Sequence, residues 1–327
     1  MTHHADDGAV AAAAARDPGA FTALAERHRR ELHVHCYRML GSFEDAEDMV
    51  QETYLRAWRK RASFQGRSTL RAWLYRIATN ACLDLLERRP RTPSAPGFEI
   101  SWLQPYPDRL LDVPAPGEDE PDAAVVERET IELAFLVAIQ RLPPRARAVL
   151  LLRDVLGWSA KETAALLEVS VAAVNSALQR ARAALRQHLP ARRLEWAAGS
   201  DPNEQERALV RRYVEASERG DAAGLVALMR EDARFAMPPQ PDLVVGRDAI
   251  AHYWAEGGFG SDSFGELRCR VTRANRQPAI ANWVRRAGEA QFAALAIDVL
   301  RIEEGEIADI VTFDADRFAA FDLPATL

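Results

Sequence analysis

The sequence predicts a multidomain chain: two all-α helical modules joined by a proline-rich linker, then a C-terminal α+β domain. Three observations carry this reading. Apolar residues recur at helical spacing over residues 18–89, and again from Asp122 to Gln187. Eight prolines crowd residues 90–121, a density that forbids a regular helix. Strand-like runs bounded by glycine begin only after about residue 233. A chain of 327 residues is long enough for two or three separate cores.

The elements follow in order. Phe21, Leu24, Ala25, His28, Leu32 and His35 mark the first helical face. Gly41-Ser42 punctuates the chain. Ala46, Met49, Val50, Thr53, Tyr54, Ala57 and Trp58 then place a helix over Glu44–Lys60. Ser68 is the expected N-cap of the next, Thr69–Arg88, which stops before Pro90. Helical spacing returns from Asp122 to Arg141, and Pro143-Pro144 opens a further helix. Trp158–Leu167 and Val171–Gln187 are read as two helices about a turn at Glu168-Val169-Ser170. Val174, Leu178, Ala181 and Leu185 form the buried side of the second. Residues 203–230 are read as two helices divided at Gly220-Asp221. Strands are expected at Leu267–Thr272, Ala279–Arg286, Gln291–Ile302 and Glu306–Phe313, with turns at Gly288 and Gly305.

The net charge of −6 hides a segregation. Residues 56–91 hold ten Lys/Arg against two acids, and residues 141–193 hold ten against three. Between them, residues 92–132 hold ten acids against two arginines. Two basic blocks split by an acidic connector suggest two surfaces that each meet phosphate. Residues 203–327 are acidic, with 21 acids against 15 arginines.

The three cysteines are far apart and no CxxC occurs, which fits a reducing compartment. Residues 1–16 lack a basic region followed by an apolar core, and no run is long enough to span a bilayer, so a cytoplasmic protein is expected with no membrane partner. His28, His33, His35 and Cys36 do not put three ligands on one helical face, so no metal is expected. Phosphate loops and nucleophile elbows are absent. No cofactor and no catalytic residue are assigned, and the protein is read as not an enzyme.

On a helix, Asp48, Gln51, Glu52 and Leu55 share a polar, acidic stripe with one leucine. The pattern alone fits either docking onto a basic partner helix or the outer face of an ordinary bundle. The stretch Asp45–Arg59, DAEDMVQETYLRAWR, resembles the second region of the sigma-seventy superfamily. The resemblance implies that Asp45, Asp48, Gln51, Glu52 and Leu55 contact core RNA polymerase, at the clamp coiled coil of its largest subunit. The next block interleaves basic and aromatic residues, as stacking on unpaired bases between neutralised phosphates requires. There the resemblance implies reading of the minus-ten promoter element by Phe64, Arg67, Ser68, Tyr75, Arg76, Asn80, Arg88 and Arg89. The loop Phe64–Ser68 is the expected base pocket.

Trp158–Gln187 has the layout of a helix-turn-helix, whose second helix enters the major groove. Ser170, Ala172, Ala173, Asn175 and Ser176 face outward near its start, with Gln179, Arg180 and Arg182 placed for phosphates. Together with LPPRARAVLLLRDVLGW before it, the segment resembles the superfamily's fourth region, which reads the minus-thirty-five element and meets the flap of the polymerase's second subunit. Many relatives carry a basic residue where Asn175 stands, so promoter sequence does not transfer.

The linker run Ser101–Asp112, SWLQPYPDRLLD, sets aromatic and aliphatic residues among prolines. It resembles the linker motif of extracytoplasmic-function sigma factors with a fused NTF2-like, SnoaL-like domain. Trp102, Leu103, Pro105, Tyr106 and Pro107 are the expected contacts. The resemblance implies a C-terminal NTF2-like cone that regulates the factor in place of a separate anti-sigma protein. Phe235, Met237, Tyr253, Trp254, Trp283, Phe292 and Phe313 are candidates to line its cavity, and Asp298 is read as a hydrogen-bonded structural acid. The expected parts are 18–90 for region 2, 91–121 for the linker, 122–190 for region 4 and 203–327 for the NTF2-like domain. The expected function is promoter-directed transcription initiation. The alternative is a DNA-binding regulator fused to a ligand-binding or enzymatic domain.

Overall fold

The computed structural model describes residues 17–64, 68–89, 103–111, 133–188 and 203–327. The chain forms two units. The first holds both helical modules. The second holds the C-terminal domain together with the described linker residues 103–111.

In the first unit, α1 (Pro18–Glu26), α2 (Arg29–Leu40), α3 (Phe43–Lys60) and α4 (Leu70–Arg88) build one module. Ser42 caps α3 by accepting the Asp45 N–H. Glu44 and Asp45 sit in the first turn of α3, Arg59 and Lys60 in its last, matching the helix dipole. Thr69, not Ser68, caps α4, through the Ala72 N–H. The core is Leu32, Cys36, Met39 and Leu40 against Ala46, Val50 and Ala57, closed by Leu70, Leu74, Ala78 and Cys82.

This core also buries two histidines. His33 packs on Phe43 at 4.7 Å, and His35 pairs with Thr79 at 2.9 Å. Burial, the largest cause, pushes His33 down to about 4, with Arg29 assisting and Glu47 opposing. Burial likewise pushes His35 down to about 3, with Arg38 and Arg71 assisting and Glu31 opposing. The folded module thus holds both rings neutral, whereas the unfolded chain protonates them near pH 6.5. Their contribution is complete above that pH and falls as the pH drops toward 4 and then 3. The expected result is a melting temperature that declines across this window. In His35→Gln the decline is shallower, as a pH series of thermal melts will show.

The second module has α5 (Leu133–Gln140), α6 (Pro144–Leu150), a wide turn at Leu151–Val155, α7 (Ala160–Leu167) and α8 (Val171–His188). Ser159 and Glu162 form a reciprocal capping box that starts α7, so Trp158 lies outside the helix expected to hold it. Glu168 turns the chain in the left-handed region, φ 56°. Arg147, counted in the second basic block, is buried. Its guanidinium donates to the carbonyls of Ile139 (3.0 Å), Gln140 (2.7 Å) and Leu142 (3.2 Å).

The second unit carries α9 (Glu204–Glu218), α10 (Ala222–Val226) and α11 (Arg247–Glu256). Its six strands are β1 (Met229–Ala236), β2 (Leu243–Val245), β3 (Glu266–Ala274), β4 (Gln277–Arg285), β5 (Ala293–Glu303) and β6 (Glu306–Asp314), in the order β2-β1-β6-β5-β4-β3. All neighbours are antiparallel except β1 and β6. β1 and β2 were not expected, and β1 begins within the stretch read as helical. Leu209, Tyr213, Leu225, Phe235, Ile250, Ile280, Leu300 and Ile310 fill the helix-side core. On the opposite face, Trp283 meets Phe318 at 4.9 Å and donates to the Pro324 carbonyl at 2.9 Å. Gly305 sits at the β5–β6 turn as expected, whereas Asn275 and Arg276, φ 55° and 60°, make the β3–β4 turn without glycine.

Candidate polymerase and promoter surfaces

On α3, Asp48, Gln51 and Leu55 face solvent, with Leu55 51% exposed. Asp45 and Glu52 are half-buried in ion pairs. Asp45 binds Arg89, and Glu52 meets Arg56 at 2.6 Å, which also reaches Asp84 at 2.7 Å. The five residues lie along one helix, three free at the surface and two tied into its flank.

The expected minus-ten set divides. Arg76 and Arg88 are exposed and Asn80 is half-buried. At 3.6 residues per turn Asn80 lies about 40° around α4 from Arg76 and about 80° from Arg88, so the three spread over a broad arc rather than one narrow face. Ser68 is exposed and Arg89 half-buried. Phe64 and Tyr75 are buried at 6% and 1%, so neither offers an open ring to an unpaired base in this conformation. Phe64 stacks on Trp73 at 5.2 Å because the loop end folds back onto α4. Tyr75 lies 5.0 Å from His35 and 5.9 Å from Trp158, with its hydroxyl on Glu31. Arg67 lies outside the described residues, as does the centre of the expected base pocket. Trp58 was placed on the buried face of its helix, yet it is 37% exposed, with the Arg61 guanidinium 4.1 Å from its ring centre. The adjacent basic run RKR was the available signal for this exposed aromatic.

All eight expected minus-thirty-five residues are exposed: Ser170, Ala172, Ala173, Asn175, Ser176, Gln179, Arg180 and Arg182. Val174, Leu178 and Ala181 are buried beneath them. Ser170 is engaged as a cap, accepting the Ala173 N–H at 3.1 Å. Arg182 is bound through two nitrogens to Asp154, at 2.8 and 2.7 Å.

In the second unit the linker run is a docked strap. Leu103, Pro105, Tyr106, Pro107 and Asp108 are buried, while Trp102 lies outside the described residues. Tyr106 exchanges two hydrogen bonds with Asn275, at 2.8 and 2.9 Å, and Pro107 bridges to Ala274. Asp108 accepts from the Arg276 N–H at 2.7 Å and from Arg273 at 3.1 Å. Burial nonetheless pushes its carboxyl up, against the pull of those donors. Arg276 also reaches the Leu111 carbonyl, and Arg109 the Ala320 carbonyl.

On the helix side of the sheet, Phe235 packs with Tyr253 and Trp254. Trp283 packs on the other face, and Phe292 meets Arg268 and Arg285, so these two rings do not join a helix-side cavity. By strand alternation Phe313 also turns away, because its neighbour Thr312 bonds the helix-side Asp298. Asp298 accepts from Tyr213 (3.1 Å), Asn282 (2.8 Å) and Thr312 (2.6 Å). Burial raises its carboxyl, although these donors pull it down.

Comparison with known proteins follows the same division. Residues 24–92 match the model of Sigma-70 region 2, residues 132–185 that of Sigma-70 region 4, and residues 210–310 that of a SnoaL-like domain. Over 325 residues the chain is 42% identical to the ECF RNA polymerase sigma factor SigG of Mycobacterium tuberculosis, covering 94% of this chain and 85% of that one. The chain belongs to the ECF RNA polymerase sigma factors. The chain is also 36% identical over 176 residues to the ECF RNA polymerase sigma factor SigM of the same species, covering 54% of this chain and 80% of that one. The crystal structure of the extracytoplasmic-function sigma factor SigJ from M. tuberculosis shares the fold. Its TM-score is 0.60 at 23% identity, covering 93% of this chain and 99% of that one. As a sigma factor the protein directs promoter-specific initiation of transcription. Among the described residues, no helix is long and apolar enough to cross a membrane.

Proposed function

We propose that the α3 stripe Asp45, Asp48, Gln51, Glu52 and Leu55 docks the clamp coiled coil of the polymerase largest subunit. In this reading region 4 meets the flap of the second subunit. Arg76, Asn80, Arg88 and Arg89 track the minus-ten strand, with Ser68 beside them. The start of α8, from Ser170 to Ser176, reads the minus-thirty-five major groove, and Gln179, Arg180 and Arg182 hold its phosphates. The C-terminal domain regulates this activity through the docked linker, with no separate anti-sigma protein. The factor works in the cytoplasm and performs no catalysis of its own.

The observation that carries the reading is the solvent-facing stripe Asp48–Gln51–Leu55. An exposed leucine ringed by acids and amides is the composition of a small protein-docking site. The test is reconstitution of the purified full chain with core polymerase on genomic promoter fragments. Core binding and runoff transcripts from a defined subset of fragments are expected. Absence of core binding would overturn the proposal.

A further inference from the structure

Two arginines flank the reading face of α8. At 3.6 residues per turn Arg180 and Arg182 lie about 160° apart around the helix, so in a major groove they point at opposite phosphate walls. Their partners differ. Arg180 donates to the Ser176 hydroxyl at 2.5 Å, a neutral contact. Arg182 donates through Nε and Nη2 to the two oxygens of Asp154, at 2.8 and 2.7 Å. Both members of this pair face water, Arg182 at 50% and Asp154 at 29% exposure. Ion pairs so exposed add little to stability, so holding the fold together does not account for the pair.

Asp154 meets α8 from the wide turn Leu151–Val155 that ends α6. There the Leu156 N–H bonds the Leu151 carbonyl at 3.0 Å, five residues back, while Leu151, Leu152 and Val155 keep the apolar side buried. At regular pitch Asp154 would follow the buried Leu151 and Leu150 by three and four residues, on their face. The widened turn leaves it at the rim instead, against Arg182. Single turns of this width recur at functional sites. The pairing engages one edge of the guanidinium, Nε with Nη2. Arg182 has five N–H donors, so Asp154 leaves those of Nη1 and one of Nη2 unused.

We propose that Asp154 is a specificity-determining residue of promoter binding: it cancels the charge of Arg182 toward phosphate at large, and leaves one edge of the guanidinium for a phosphate that base contacts have placed in register. The inference rests on the reading of α8 as the minus-thirty-five reader. Binding to DNA of any sequence comes almost wholly from phosphate neutralisation, and an arginine already paired with a carboxylate adds little to it. Seated in its own site, α8 is fixed by base contacts from Ser170 to Ser176, and the phosphate wall then stands at a set distance. There the aimed outer edge of Arg182 makes its contact. Asp154 thus weakens wrong complexes more than right ones, which is how a repulsive group raises specificity.

The test uses the full chain bound to core polymerase and two labelled DNA fragments of equal length. One supports runoff transcription; the other is the same fragment with its minus-thirty-five segment scrambled. Anisotropy titrations from about 50 to 200 mM salt give affinity and salt slope for each. Asp154→Asn is expected to raise affinity for the scrambled fragment about threefold to fivefold and to steepen its log–log salt slope by about 0.9. On the promoter the same gain in charge is offset by loss of the carboxylate that aims the guanidinium, so affinity there should change by less than about twofold. Asp154→Glu, which keeps the charge, should retain the parent's discrimination. Arg182→Gln should weaken the promoter complex and leave the scrambled one near the parent's level, and in that background Asp154→Asn should change neither. The inference is overturned if Asp154→Asn weakens both complexes alike, if it leaves their ratio at the parent's value, or if its effect survives Arg182→Gln. Promoter binding unaltered by Arg182→Gln would remove the proposed phosphate role of Arg182, and the inference with it. A promoter complex weakened by Arg182→Gln but indifferent to Asp154→Asn would remove the inference alone.

Discussion

Leu55→Glu is expected to lower affinity for core polymerase by about a hundredfold or more while leaving the melting temperature nearly unchanged. The two halves of this expectation have different sources. Leu55 is 51% exposed, so the core beneath it, Ala46, Val50 and Ala57, is untouched by the change. Exposed substitutions of this kind stay within about 0.5 kcal/mol of neutral. At an interface the same side chain loses its apolar burial, worth roughly 1.5–3 kcal/mol for a leucine. A carboxylate would then be forced into a desolvated contact beside Asp48 and Glu52, adding a like-charge penalty. About 2.7 kcal/mol corresponds to a hundredfold. Fluorescence anisotropy of labelled factor against core measures the affinity, and calorimetry measures the fold. Unchanged affinity in a folded variant would remove α3 from the interface.

The helical half was readable because its signals are local. Capping residues, a proline stop and three- to four-residue apolar spacing placed α3, α4 and α8 to within a residue or so. The sheet was only half readable. The glycine turns exposed the four long strands, but Asn275-Arg276 carries no glycine, and β1 reads as MREDARFA, with too few β-branched residues to announce a strand. Two expected site residues, Phe64 and Tyr75, lie buried for one recognisable reason. Tyr75 and Phe64 were assigned by type, as rings in a basic block, and type does not say which way a ring points. Arg147 shows the same limit for charge. A guanidinium serving helix-end carbonyls looks, in sequence, like one serving phosphate. Trp58 is the converse, an aromatic on the apolar side of its helix that tertiary packing nevertheless left open. In the helix-turn-helix the apolar spacing of Val174, Leu178 and Ala181 fixes which residues face outward, so their exposure was legible. The strap was legible in kind, since apolar residues among prolines need cover, but its receptor lies some 170 residues away in sequence, at Asn275 and Arg276, and no local pattern connects them.

Tyr106→Ala is expected to release the strap and make the Arg109–Leu110 bond a site of rapid tryptic cleavage in an otherwise resistant domain. Tyr106 is 1% exposed and exchanges two hydrogen bonds with Asn275. Truncating a buried aromatic costs about 3–5 kcal/mol, and for a nine-residue docked segment that cost falls on docking rather than on the sheet. Cleavage follows the population of the undocked form, so its rate should rise by about two orders of magnitude or more. Asp108→Ala should act in the same direction by leaving the Arg276 N–H and the Arg273 guanidinium without their acceptor. Timed digestion followed by mass spectrometry measures both. If the C-terminal domain governs transcription through this strap, Tyr106→Ala and a chain ending near residue 200 must shift promoter output in the same direction. Combining them must add nothing, because the truncation has already removed the strap's receptor. Runoff assays on one promoter with the single and double changes decide the matter. Unaltered output with a freed strap would make the docking purely structural. Additive effects would instead give the C-terminal domain a second route of control that bypasses Tyr106.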